Sequence, residues 1–268
     1  QRGVFLLNTP EDLPKAVPEV LQWSRQREFI LEEFYPSEEV TVNGWVTGGI
    51  LHILTVVDRV TRMFPPHIGI CTAHRYPSRH LGTYGDRIIR LSRDIVKAAG
   101  IFEGPVYFQM LIGNEGIKVN EIACRLGGAY EDRYIAFETG VNTLDLLIDA
   151  SLGKTISPDV FSRVPFPGYN HIISVPLVFT RSGRIGKNGP VADVLTASGV
   201  IGGGYLLPEG LKVEKTENST RRAAWAVVTG KTPGEVNTAL DELFSRLTIL
   251  DGRGENMVLD TRKDAYAE

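Results

Sequence analysis

Residues 104–128, GPVYFQMLIGNEGIKVNEIACRLGG, constrain this chain more than any other stretch. They read as two β-strands, Pro105–Gly113 and Ile117–Cys124, joined by Asn114-Glu115-Gly116. A three-residue loop ending in glycine suits a type I turn followed by a left-handed residue, a conformation that penalises any Cβ. That register sets Gln109 opposite Glu121. Alternation along the strands puts Tyr107, Gln109, Glu121, Ala123 and Arg125 on one face. Val106, Phe108, Met110, Ile122 and Cys124 fall on the other, the candidate core face. The polar face runs through Arg125 into Leu126-Gly127-Gly128, where bare backbone can approach an anion. An amide oxygen beside a carboxylate also suits a hard cation such as magnesium, which takes oxygen ligands.

The rest of the composition narrows the partners. The chain has 268 residues, 43% apolar and 23% charged, enough for a substantial core and two domains. Its net charge is −3 with no run of Lys or Arg, so neither nucleic acid nor an anionic membrane is an expected partner. The longest apolar run, Gly48–Val57, contains His52 and is too short to span a bilayer. Cys71 and Cys124 are too few for a disulfide framework, and no signal-peptide pattern is present, so a reducing, cytoplasmic setting is expected.

Along the chain, Val4–Leu7 reads as a short strand. Thr9 caps a helix with Pro10 at its first position and an apolar stripe of Leu13, Val17, Val20 and Leu21. Phe29–Phe34 (FILEEF) reads as a strand, and Glu39–Asn43 pairs with Trp45–Val57 through a turn at Asn43-Gly44. Met63–His80 looks irregular. Gly85–Ala99 is a helix stopped by Gly100, and Ala129–Gly140 is expected to be a loop. Asn142 caps a helix with Leu144, Leu147 and Ile148 inward and Gly153 at its end. Three prolines in Pro158–Gly168 mark a boundary, giving domains 1–157 and 158–268. Beyond it, His171–Thr180, Leu211–Glu217 and Arg222–Thr229 read as strands and Gly202-Gly203-Gly204 as a tight turn. Thr232-Pro233-Gly234-Glu235 is a capping box opening a helix that buries Val236, Ala239, Leu240, Leu243, Phe244 and Leu247. The class is α+β.

The hairpin resembles the metal-binding hairpin of the ATP-grasp superfamily. There, an acid or Gln on one strand and a Glu twelve positions later hold the magnesium ions of ATP. An Asn follows two positions after that Glu and an Arg four positions after it. Gln109, Glu121 and Arg125 match; Ala123 stands where many members place the Asn. The resemblance implies an ATP-grasp fold, here the C-terminal half of its nucleotide-binding domain. A small antiparallel-sheet-plus-helix domain would follow. It implies ATP and Mg2+ as cofactors, with Gln109 and Glu121 as metal ligands. Arg125 and the backbone of Gly127 and Gly128 would stabilise the transferring phosphoryl group. Glu32 or Glu33 would sit near the adenine amine, the backbone of Phe34 at the adenine edge, and Glu39 on the ribose. Arg59 or Arg62 would meet a phosphate, and Arg133 would anchor substrate.

The implied reaction joins a small-molecule carboxylate to an amine through an acylphosphate. Two alternatives stay open. One is carboxyphosphate chemistry, as in carbamoyl-phosphate synthases and biotin carboxylases. The other is a non-catalytic nucleotide-binding homologue, which Ala123 suggests. The opening Gln1-Arg2-Gly3-Val4 resembles the end of the family's mobile glycine-rich loop. The implied partner is therefore an N-terminal part of the same protein, and a homodimer is compatible with the reading.

Overall fold

A computed structural model describes residues 3–64, 67–214 and 218–268. In chain order the elements are α1 (Leu13–Gln22), β1 (Ser37–Thr47), β2 (Ile50–Phe64), β3 (His67–Tyr76), α2 (Leu81–Ala98), β4 (Gly104–Gly113) and β5 (Gly116–Ala123). There follow α3 (Glu131–Thr139), α4 (Thr143–Ser151), β6 (Ile172–Val178), β7 (Gly183–Asn188), α5 (Val191–Leu195), β8 (Val200–Tyr205) and β9 (Lys212–Val213). The last are β10 (Ala224–Gly230), α6 (Pro233–Arg246), β11 (Ile249–Asp251) and α7 (Arg262–Ala265). The class is α+β, as the sequence suggested. Eight strands form one antiparallel sheet in the order β5-β4-β1-β2-β3-β6-β10-β8, and β11-β7-β9 form a small second sheet. Strands from both sides of the proline-rich stretch thus share one sheet, with β6 hydrogen-bonded to β3.

Helices cover the large sheet on both faces. Ile88 and Val96 of α2 pack on Val40, Val42, Phe108 and Met110. On the opposite face Tyr134 and Ile135 of α3 join Trp45, Leu54, Ile173 and Leu177. Val236, Leu240 and Leu243 of α6 pack on Val178, Ala226 and Val228. The capping predictions hold: the Asn142 side chain accepts from the N–H groups of Leu144 and Asp145 at 3.2 and 3.3 Å, and Thr232 Oγ1 from Glu235 N–H at 3.2 Å. Gly100, in a left-handed conformation, ends α2 as expected.

Several expectations are corrected. Neither Val4–Leu7 nor Phe29–Phe34 is a strand; no neighbouring strand pairs with them among the described residues, and Ile30 and Leu31 are 83% and 64% exposed. Strand propensity needs a partner to act on. The first hairpin turns at Gly48-Gly49, with φ of +56° and +81°, and not at Asn43-Gly44. Asn43 and Gly44 instead continue β1, opposite a bulge at Leu54 of β2. Asn43 Nδ2 donates to Thr55 Oγ1 at 3.1 Å, and a Cβ on Gly44 would sit 2.9 Å from His52 O.

The β4–β5 loop has two residues, Asn114-Glu115, not three, and a bulge between Gln109 and Met110 restores Gln109 opposite Glu121. The predicted pairing therefore stands for a different reason. Ile122 is 37% exposed and Cys124 is exposed, because β5 is an edge strand and its far end leaves the core. Most of Met63–His80 is hairpin strand, and Ala129–Gly140 is largely α3. Leu144 and Ile148 are 43% and 50% exposed, on the outer side of α4. Gly202, Gly203 and Gly204 lie in β8 beside β10, where a Cβ on Gly203 would press on Val194 at 3.0 Å and Trp225 O at 3.1 Å. Of Leu211–Glu217 only Lys212–Val213 is strand, and residues 215–217 lie outside the described residues.

Truncating Leu240, fully buried under α6, removes a side chain the helix uses to hold the sheet. Leu240→Ala should cost about 2–5 kcal/mol in denaturant unfolding.

Candidate active site

Five adjacent strands each bring a polar side chain to one region of the sheet: Glu121 from β5, Gln109 from β4, Glu39 from β1, Arg59 from β2 and His74 from β3. The register makes Gln109 oppose Glu121, Glu39 oppose Arg59, and Arg59 oppose His74. Arg59 forms a charge-assisted bond to Glu39 Oε2, and Gln109 Nε2 donates to the same oxygen at 2.7 Å. The side chains of Arg59 and Glu39 are only 11% and 15% exposed. With its nitrogen committed to Glu39, Gln109 has its amide oxygen left to serve a ligand beside Glu121.

A cavity of about 450 Å³ opens over this row, lined by Arg59, Gln109, Glu121, Arg125, Gly127 and Gly128 among others. Arg125 donates to Glu121 Oε1 and to Leu126 O, both at 3.0 Å, and its guanidinium lies 5.4 Å from the Tyr107 ring centroid. The predicted residues Gln109, Glu121, Arg125, Gly127, Gly128 and Arg59 are therefore together in one place. Glu39 lies beneath them, tied to Arg59.

Other predicted residues lie elsewhere. Glu32 lines a separate groove of about 810 Å³ formed by residues between 3 and 32, and Glu33 and Phe34 are exposed coil beyond it. Arg62, the alternative to Arg59, is held by Asp264 at 2.5 and 2.8 Å. Arg133 is exposed on α3 and pairs with Asp132 at 3.3 Å. Among the described residues, no group of three or more His, Cys, Asp or Glu is placed to hold a metal.

Sequence reasoning missed four residues that line the same cavity: Cys71, His74, Glu131 and Arg222. Glu131 is 2% exposed, and its Oε2 accepts from Ala129 N–H at 2.6 Å. Its carboxyl occupies the space where a Cβ on Gly127 would go, so glycine is required there. Arg222 donates to Gly128 O at 2.8 Å, so a residue just before β10 fixes the glycine pair that follows β5. Burial raises the Glu131 carboxyl, and burial with nearby Arg59 and Arg222 lowers the His74 imidazole to about 3. The Cys71 thiol is raised by burial and is no nucleophile at neutral pH. The only sequence signal for Glu131 was its place three residues after Gly128. Glu39→Ala should leave Arg59 buried and unpaired and cost about 3–5 kcal/mol in unfolding measurements.

No protein-family model and no curated protein matches the sequence. Solved structures match the fold. An L-amino acid ligase from Bacillus licheniformis superposes with a TM-score of 0.77, at 18% identity over 92% of this chain and 61% of its own. A phosphoribosylglycinamide synthetase from Anaerococcus prevotii gives 0.71 at 15% identity over 92% of this chain and 62% of its own. The biotin carboxylase of Campylobacter jejuni, solved as a β-γ-ATP complex, gives 0.69 at 14% identity over 99% of this chain and 57% of its own. The chain spans about three-fifths of the length of these structures. At these identities the likeness is one of fold, shared over most of this chain.

Proposed function

We propose that the chain supplies the metal- and phosphate-binding part of an ATP-dependent carboxylate–amine ligase. The observation that carries this reading is the Gln109–Glu121 pair opening into the same cavity as Arg59, Arg125 and Arg222. Three guanidinium groups over a small site suit a polyanion, and an amide oxygen beside a carboxylate suits the magnesium that accompanies it. Gln109 and Glu121 would hold the ion; Ala123 offers no further side-chain ligand, so the site supports one ion held by this pair. When bound, magnesium withdraws charge from the phosphates as the γ-phosphoryl group moves.

The chain's own residues would do the rest. Arg125 swings from Glu121 to the transferring phosphoryl group, and the Gly127-Gly128 backbone, steadied by Glu131 and Arg222, approaches it closely. The substrate carboxylate takes the phosphoryl group, and the amine then displaces phosphate. Both bonds to Glu39 use Oε2, so Oε1 is left to accept from a ribose hydroxyl. Glu32 or Glu33 and Phe34 would reach adenine from the separate groove, with an N-terminal part of the same protein completing that side. Arg133, exposed on α3 outside the cavity lining, is retained only as a proposed substrate contact. The neighbour named L-amino acid ligase favours an amino acid as the carboxylate. A second reading, carboxyphosphate formation, is favoured by a biotin carboxylase neighbour solved with MgADP and bicarbonate.

In the full-length polypeptide, Glu121→Ala and Arg125→Ala should each lower magnesium-dependent ADP release by about 100-fold or more. Turnover kept within a few-fold in either variant contradicts the proposal. ADP release stimulated by bicarbonate with no amine present assigns the enzyme to carboxyphosphate chemistry instead.

A further inference from the structure

Three buried polar atoms of the cavity lining have no partner in the protein: the donor Arg222 Nε, and two others that lie side by side. Glu131 Oε1 and His74 Nδ1 are both buried and make no hydrogen bond. They face each other at 3.8 Å, too far for a bond between them, on side chains only 2% and 3% exposed. A buried acceptor without a donor is costly, and two side by side call for a shared donor. Both residues line the cavity that holds Arg125, Gly127 and Gly128.

The nature of that donor follows from its surroundings. Burial, reinforced by nearby Arg59 and Arg222, disfavours a charge on His74. The ring therefore stays neutral, and in the tautomer protonated at Nε2 its Nδ1 is an acceptor. Glu131 Oε2 is already committed to Ala129 N–H, so Oε1 is the free oxygen. The third ligand type nearby, Cys71, is turned away and donates to Ala73 O at 3.5 Å. Two acceptors, an oxygen and a nitrogen, suit one nitrogen donor with at least two N–H bonds.

We infer that Glu131 and His74 form the seat of the substrate amine, held between Glu131 Oε1 and His74 Nδ1 beside the phosphoryl-handling glycine pair. This inference rests on the ligase reading. An amine drawn from bulk water into this seat loses the hydration that favours its ammonium form. It gives one proton to the Glu131 carboxylate and then attacks the acyl carbon of the acylphosphate. The C–N bond forms and the C–O bond to phosphate breaks. Phosphate leaves with the bonding electrons and takes the second nitrogen proton, while Glu131 returns its proton to solvent. The seat accepts a primary amine or ammonia; a tertiary amine has no second N–H and does not fit.

The test uses the full-length polypeptide with ATP, magnesium and the twenty proteinogenic L-amino acids. Each is offered as carboxylate with hydroxylamine as the trapping amine, then as amine, with hydroxamate and ADP as readouts. For the best pair, Glu131→Gln and His74→Leu are compared with wild type. Glutamine keeps an oxygen for Ala129 N–H but replaces the free acceptor with a donor, and leucine removes the acceptor while filling the space. Both variants should raise the KM for the amine at least about tenfold more than the KM for ATP. Thermal melts identify any variant that fails to fold, and the other then decides. Amine and ATP constants that move together, or an amine constant that does not move, overturn the seat. Wild-type enzyme that releases no ADP and forms no hydroxamate with any of the panel overturns the ligase reading itself, and the seat with it.

Discussion

The site depends on one buried charge pair. Arg59 and Glu39 oppose each other on neighbouring strands, nearly shielded from solvent, and Gln109 donates to the same carboxylate oxygen. Removing a charge pair from water is costly unless the geometry is good and further hydrogen bonds complete it. Here the sheet supplies the geometry and Gln109 the extra bond. The consequence is directional: with its nitrogen on Glu39, Gln109 has its oxygen left for the Glu121 side, while Arg59 is held by Glu39 and by Gly69 O at 3.4 Å. The Gln109 amide, the proposed metal ligand, is thereby oriented by a carboxylate on the neighbouring strand β1.

The same row extends across the sheet to His74, opposite Arg59 on β3. Beyond it the sheet continues into β6, β10 and β8, and Arg222, just before β10, reaches back to the carbonyl of Gly128. The later part of the chain is therefore no mere appendage to the cavity. It supplies a guanidinium to the lining and holds the glycine pair that follows the β4–β5 hairpin. Aromatic stacking reinforces this junction, with Tyr130 and Trp225 at 3.7 Å between ring centroids.

What could be read in the sequence was what local spacing controls. The common face of Tyr107, Gln109 and Arg125 and the caps at Asn142 and Thr232 follow from strand alternation or from one helical turn, whereas the pairing of Gln109 with Glu121 needs a bulge that local spacing does not announce. What escaped is set by neighbours distant in sequence. FILEEF has strand composition, yet it has no strand beside it among the described residues, and Asn43-Gly44 has turn chemistry but stays in β1, opposite a bulge at Leu54. Gly48-Gly49, four residues on, satisfies the hairpin twist better, since both central residues adopt positive φ. Glu131, His74 and Arg222 converge only through sheet order, which no local pattern encodes.

The central claim is that Gln109 and Glu121 hold magnesium for a nucleotide over this sheet. Calorimetric titration of ATP into the full-length polypeptide tests it most directly, once with magnesium and once with excess chelator. The account predicts binding with magnesium and a loss of about tenfold or more in affinity without it. Equal affinity in both titrations, or no binding in either, would contradict it.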